Sequence, residues 1–410
     1  NPAPSLVLNF VPNPVPNPAF RSRRCRLRQP ALPDEASSES PRQRRRGVRR
    51  AARRVGGLHA RGRVLAVTDV HAVRWDDARD ALILLDQTQL PQREDYLACH
   101  DVDTVIDAVR RLVVRGAPAL GAVGGYGVVV AMRQGLREGW TADRLDSEVE
   151  RIRHARPTAV NLAWGVDRVV PLMPEGIETV LAAAHAIVAE DQAANRELSR
   201  RGADWIESRV QRRPVRVLTH CNTGALATTG WGTAFGIIRE LHERGELEMV
   251  YADETRPLLQ GARLTAWECE RQGIPYVVQA DGAAASTVLR GLVDVAIIGA
   301  DRISRNGDTA NKIGSLSVAL ACDAAGIPFV VAAPSSTVDL ATTDGNGIEI
   351  ELRDGSEVLA FAGTATAPEG AAGFNPAFDV TPARYVSAIV TECAIAEPDG
   401  RAPVDALVGK

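Results

Sequence analysis

Aromatic residues make up only 4% of this 410-residue chain, and methionine occurs three times. A core built from it must therefore rest on Ala, Val, Leu and Ile, which a 45% apolar composition can supply. No apolar run approaches the roughly 18 uncharged residues that span a bilayer, so a membrane partner is not expected. The short run Ser5–Val11 is broken by Asn and Pro and has no basic segment before it, so it does not read as a secretory signal. The six cysteines, Cys25, Cys99, Cys221, Cys269, Cys322 and Cys393, show no CxxC spacing. That argues against a zinc site and against a disulfide framework, and makes a cytoplasmic setting the expectation. A Walker-type loop is missing, as is a GxGxxG after a strand, so neither a nucleotide nor any other cofactor is expected.

Charge is unevenly placed. Between Arg21 and Arg63 there are 15 arginines against Asp34, Glu35 and Glu39, although the whole chain carries a net charge of −3. The remainder is therefore an acidic body with no nucleic-acid signature of its own. Residues 1–63, with Asn-Pro repeats and arginine blocks, read as a disordered extension. A basic arm or a targeting peptide is the alternative for that segment.

Residues 64–210 read as a small β start followed by a mostly helical domain. Strand-like runs occur at Arg63–Val67 and Ala81–Leu85. Helical spacing covers Asp103–Val114, Thr141–His154 and Glu178–Ser208, and the Gly/Ala/Val-rich run Ala122–Met132 reads as a buried helix. A boundary is expected near 209–214. Residues 211–395 follow a different rhythm, and 396–410 read as a tail. Five short runs rich in β-branched residues, Val215–Thr219, Leu247–Tyr251, Tyr276–Gln279, Val293–Ile298 and Pro328–Ala332, alternate with helix-compatible segments. The fold class that follows is α/β: a C-terminal, doubly wound, Rossmann-like parallel sheet with a smaller, mostly helical N-terminal domain.

Polar chemistry gathers after these runs. The first ends in His220-Cys221-Asn222-Thr223-Gly224, the second in Asp253-Glu254-Thr255-Arg256-Pro257, the fourth in Gly299-Ala300-Asp301-Arg302. Ligands of open α/β sheets bind beyond the carboxyl ends of the strands, so these groups should meet in one crevice. Cys221 is expected at the start of an Ala-rich helix, where the dipole favours a thiolate or a bound anion. Cys269 and Cys322, within helical segments, read as small buried hydrophobes. Asp301, after four apolar residues and Gly299, is partly desolvated and suited to general-acid work near neutral pH. An N-cap or an ion pair with Arg302 is the structural alternative. Arg115, Arg156 and Arg256, each followed closely by Pro, suggest with Lys312 an anionic substrate.

At these residues the chain resembles the methylthioribose-1-phosphate isomerases. The matching stretches are Arg115-Gly-Ala-Pro-Ala119, Arg156-Pro-Thr-Ala-Val-Asn161, Thr219-His-Cys-Asn-Thr-Gly224, Glu254 to Arg263, Gly299-Ala-Asp-Arg302 and Asn311-Lys-Ile-Gly314. They occur in the family's order across roughly 64–395. The resemblance implies an aldose-to-ketose isomerisation of a sugar 1-phosphate in methionine salvage and a homodimer. It also implies Cys221 and Asp301 as the catalytic pair, with substrate contacts from Arg115, Gly116, Ala117, Arg156, Gln260, Asn311 and Lys312. Regulatory subunits of the translation-initiation guanine-nucleotide exchange factor share the fold, and a ribose-1,5-bisphosphate isomerase is the nearer rival.

Overall fold

The structure, a computed structural model, describes residues 70–156, 160–361, 363–398 and 404–409. The extension expected over 1–63 and the strand expected at Arg63–Val67 lie outside the described residues.

The N-terminal part opens with an antiparallel sheet of β1 (Val73–Asp76), β2 (Ala81–Leu85) and β3 (Tyr96–Cys99). Every residue of the apolar run in β2 is buried. Helix α1 (Val102–Arg110) starts where the Asp101 side chain accepts the Thr104 N–H. Helices α2 (Ala117–Glu138), α3 (Ala142–Arg153), α4 (Val160–Val169) and α5 (Ile177–Arg209) follow. The small residues of α2 have a packing cause. A Cβ on Gly124 would stand 2.3 Å from the Leu162 carbonyl oxygen, and one on Gly165 would stand 2.0 Å from that of Gly121. Only glycine lets the backbones of α2 and α4 come this close.

The second part contains β4 (Val215–Thr219), α6 (Ala234–Glu243), β5 (Leu247–Asp253), α7 (Ala266–Gln272), β6 (Tyr276–Gln279), α8 (Ala284–Leu289) and β7 (Val295–Ile298). It continues through β8 (Arg302–Ser304), β9 (Thr309–Lys312), α9 (Ser315–Ala325), β10 (Phe329–Ala332) and β11 (Val338–Asp339). Strands β12 (Ala360–Phe361), β13 (Thr364–Ala365), β14 (Phe378–Thr381), β15 (Ala388–Val390) and β16 (Ile395–Ala396) complete it. The main sheet runs β16-β15-β10-β7-β4-β5-β6 and is parallel throughout except for the β15–β16 pair. Its order reverses between β4 and β7, which are hydrogen-bonded neighbours, giving the doubly wound arrangement.

The centre of the sheet is buried on both faces. Val295 and Ile297 join one apolar cluster with α5 and α6, while Ala296 and Ile298 join the other with α8 and α9. Helix α5 serves two cores. Its Val180, Leu181, Ala184 and Ile187 pack with the N-terminal helices, and its Leu198, Ala203 and Ile206 pack beneath the sheet.

Two features depart from the expectations. No helix follows Cys221 directly, because α6 begins only at Ala234. The N–H groups of Ala225 and Leu226, which could have opened a helix, bond instead to the buried Glu268 carboxylate, and that of Thr229 bonds to Asp191. The other departure is a four-stranded sheet, β11-β8-β9-β14, raised above the carboxyl end of β7. Its β8–β9 hairpin turns at Asn306-Gly307-Asp308.

Candidate active site

Cys221 follows β4 and Asp301 follows β7, so the pair flanks the point where strand order reverses. One pocket of about 120 Å³ lies there. Both residues line it, together with Arg115, Gly116, Ala117, Arg156, Gln260, Asn311 and Lys312. Sequence separation here exceeds 190 residues, and the fold brings these nine expected positions, though not Arg256, to one cavity.

Cys221 has a left-handed backbone, φ 65°. Its N–H donates to Thr255 Oγ1 at 2.9 Å, and its carbonyl accepts from Thr265 Oγ1 at 2.7 Å. The neighbouring Thr255 and Leu259, and Leu112 of the pocket wall, share the same unusual backbone region. Such conformations cost about 1–3 kcal/mol each and persist where the surroundings over-determine them, commonly around ligand sites. The helix dipole expected behind Cys221 is absent, but a different helix supplies one. Helix α2 opens into the pocket at Gly116, Ala117 and Pro118, with no side-chain cap and no acidic residue in its first turn. Uncapped N–H groups at a helix start attract anions. Gly116 is required there: its φ is 97°, and a Cβ would meet the Ala227 carbonyl oxygen at 2.2 Å.

Asp301 opens onto the cavity and is exposed by area, yet protein surrounds it closely. Burial pushes its carboxyl pKa up, against the opposing charges of Lys312, Arg115 and Arg156. Lys312 Nζ donates to the Ala377 carbonyl at 2.9 Å and lies 4.5 Å from the centre of the Phe378 ring. Burial pulls the Arg156 guanidinium pKa down, against the opposing charges of Glu351, 3.8 Å away, and Asp301. Asn311 is buried and donates to Ser315 Oγ at 2.7 Å. Two polar atoms of the pocket residues, Gln260 Oε1 and Arg115 Nε, are buried with no hydrogen-bond partner. Orphaned groups of this kind call for a ligand or water.

Arg115 does not cap α1. Its guanidinium grips Asn222, donating to the main-chain oxygen at 3.1 Å and, through Nη2, to Oδ1. Arg256 does not enter the pocket at all. It donates to the carbonyls of Pro257, Glu357, Val358 and Ala360, fastening β12 to the loop after β5. A third arginine lines the cavity beside Arg115 and Arg156 and was missed by sequence reasoning: Arg353, held by Glu357 and Glu351. Thr223, Thr228 and Phe378 were missed as well. Thr223 and Thr228 sit beside the recognised Cys221 segment, but nothing around Arg353 or Phe378 marks them in the sequence.

Behind Cys221, His220 Nδ1 lies 3.0 Å from Asp253 Oδ2, and its Nε2 lies 2.8 Å from the Ile313 carbonyl. Among the described residues, His220, Asp253 and Asp281 are close enough to share a metal ion. Their donor atoms are committed to protein partners, since Asp281 accepts the N–H groups of Thr255 and Arg256.

Residues 113–398 match the Initiation factor 2 subunit family. The chain is 51% identical over 340 residues to a probable bifunctional methylthioribose-1-phosphate isomerase/methylthioribulose-1-phosphate dehydratase of Nocardia farcinica, covering 81% of this chain but only 61% of that protein. It is 47% identical to a methylthioribose-1-phosphate isomerase of Thioalkalivibrio sulfidiphilus, covering 84% of this chain and 98% of the relative. Two crystal structures superimpose with a TM-score of 0.73. One is a 5-methylthioribose 1-phosphate isomerase from Pyrococcus horikoshii, at 35% identity over 83% of this chain and 96% of that one. The other is described as translation initiation factor eIF-2B, subunit delta, from A. fulgidus, at 37% identity over 82% and 99%. The chain belongs to the initiation factor 2 subunit family and, within it, to the methylthioribose-1-phosphate isomerases.

Proposed function

We propose that this protein converts 5-methylthio-α-D-ribose 1-phosphate to 5-methylthio-D-ribulose 1-phosphate, a step of methionine salvage. The observation that carries the reading is the pairing of Cys221 and Asp301 across the β4–β7 switch point. The cavity they share is also lined by Arg115, Arg156, Lys312 and an uncapped helix start.

Phosphate on the anomeric oxygen blocks spontaneous ring opening, so the protein itself must protonate the ring oxygen. Asp301 is the general acid, and its raised pKa keeps a proton available. Its proton goes to the ring oxygen as the bond from C1 to that oxygen breaks. Hydrogen then moves from C2 to C1, with Cys221 serving this transfer, and the C2 hydroxyl gives up its proton to restore the Asp301 carboxyl, leaving a C2 ketone. A proton relay through an enediolate and a direct hydride shift both leave the molecule redox-neutral. Arg115, Arg156 and Lys312 hold the phosphate with the N–H groups of Gly116 and Ala117, while Gln260 and Asn311 supply uncharged contacts to the sugar. The working unit proposed is a cytoplasmic homodimer. Among the described residues no helix is long and apolar enough to cross a membrane.

Purified protein incubated with the substrate in EDTA should yield the ketose phosphate by NMR, and solvent deuterium at C1 of the product marks the proton route. Turnover of ribose 1,5-bisphosphate in its place identifies the rival isomerase, and turnover of neither identifies a regulatory protein of the same fold.

A further inference from the structure

Glu268, on α7, is wholly buried and belongs to none of the groups assigned above. Its carboxylate gathers donors from the segment that carries Cys221. Oε1 accepts Asn222 Nδ2 at 2.7 Å, and Oε2 accepts the Ala225 N–H at 2.8 Å. The Leu226 N–H reaches Oε1 at 3.4 Å. Gly224 lies so close that a Cβ there would stand 2.2 Å from Oε2.

These contacts fix which way round the Asn222 amide sits. Its Nδ2 faces two acceptors, Glu268 Oε1 and, at 3.3 Å, Thr265 Oγ1. Its Oδ1 is thereby turned to Arg115, whose Nη2 donates to it while Nη1 donates to the Asn222 carbonyl. Both terminal nitrogens of the guanidinium are engaged by one residue, and Nε remains buried without a partner. A guanidinium binds an oxyanion through a planar pair of N–H groups, so its rotation decides what it can hold.

We infer that Glu268 is a positioning residue of the pocket: through the Asn222 amide it sets the rotation of the Arg115 guanidinium and so the pocket's grip on an oxyanion. The inference rests on the reading of Arg115 as an anion-binding residue. A carboxylate suits this place because it can only accept. Glutamine there would present an NH2 group to a cluster of donors, and the easiest relief is to turn the Asn222 amide over, which faces Nδ2 toward Arg115.

The test is a double-mutant cycle on the full chain, with Kd for inorganic phosphate measured calorimetrically, KM and kcat for the sugar phosphate, and Tm for each variant. Glu268→Gln should raise the phosphate Kd and KM about tenfold, with a much smaller change in kcat. In an Arg115→Ala background the same substitution should change neither, because the group it positions is gone. Equal weakening in both backgrounds, or none in either, overturns the inference. If Glu268→Gln does not fold, Asn222→Ala replaces it in the cycle with the same expectations. Phosphate binding that shows this coupling in a protein inactive on the sugar phosphate refutes the proposed reaction and leaves Glu268 in its role. Phosphate binding indifferent to Arg115 removes the role itself.

Discussion

His220 and Asp253 form a buried hydrogen-bonded pair in which every facing group accepts. The imidazole Nδ1 meets Asp253 Oδ2 and its Nε2 meets the Ile313 carbonyl, so Nε2 carries hydrogen and a protonated ring donates on both sides. Asp253 Oδ1 accepts from Gln279 Nε2 at 2.8 Å, and burial raises the Asp253 pKa against the pull of His220. Burial works against the charged ring, but the Asp253 bond and charge, the Asp281 charge and the Ile313 carbonyl outweigh it and raise the His220 pKa.

A raised imidazole pKa stabilises the fold while the ring is protonated. That contribution is complete below the ordinary value near 6.5 and fades as pH climbs through the raised native value. The melting temperature should therefore fall across that alkaline window. In His220→Asn, which lacks the titrating group, the same window should be flat. A parallel fall in the variant would assign it to another residue.

Asp301 must be protonated to act as an acid, so kcat should decline as pH rises through its raised pKa. Lys312 opposes that rise. Lys312→Met should consequently move the alkaline limb of the kcat profile to higher pH, even as it weakens binding. A limb that stays in place separates Asp301 from the profile. Asp301→Asn and Cys221→Ser should each lose about 10²–10⁴-fold in kcat, the usual contribution of a positioned acid–base group.

Iodoacetamide should distinguish the thiols. Cys99 and Cys322 have no exposed surface, and burial pushes both thiol pKa values up to about 12. Cys269 is equally buried, and burial raises its thiol pKa well above the ordinary value. Cys221 lines the cavity and should be alkylated ahead of these three, with the sugar phosphate protecting it. Mass spectrometry of tryptic peptides reads the order.

Arg156→Ala should raise KM at least tenfold, which is about 1.4 kcal/mol of lost binding. Arg256→Ala should leave KM near that of the parent and lower Tm instead, because its hydrogen bonds go to main-chain carbonyls. The opposite pattern would put the phosphate beside Arg256.

The strands of the main sheet were legible because burial on both faces selects short, continuous, β-branched runs. Val215–Thr219, buried at four of its five positions, matches its strand to the residue, and so does the half-exposed edge run Tyr276–Gln279, marked by its two valines. The raised sheet was not legible, since strands such as Val338–Asp339 span two residues and carry no periodicity. Arg353 reaches the cavity from that irregular region, so no pattern announced it. The helix expected after Cys221 failed for a different reason. Ala225-Leu226-Ala227 has helical composition, but carboxylates more than 30 residues away in the sequence, Glu268 and Asp191, take the N–H groups that a first turn leaves open. Local propensity is a weak prior when a buried acid competes for the same donors.

Because α2 brings its N-terminus from the helical core, while Cys221 and Asp301 come from the sheet, neither core carries the whole of the proposed site. Helix α5, 33 residues long, is shared by both. A chain in which only the sheet part has condensed would bring Cys221, Asp301 and Lys312 together but lack Arg115, Arg156 and the start of α2. On the proposed assignment, turnover reports assembly: a molecule that turns over is one whose two halves have already closed on the same helix.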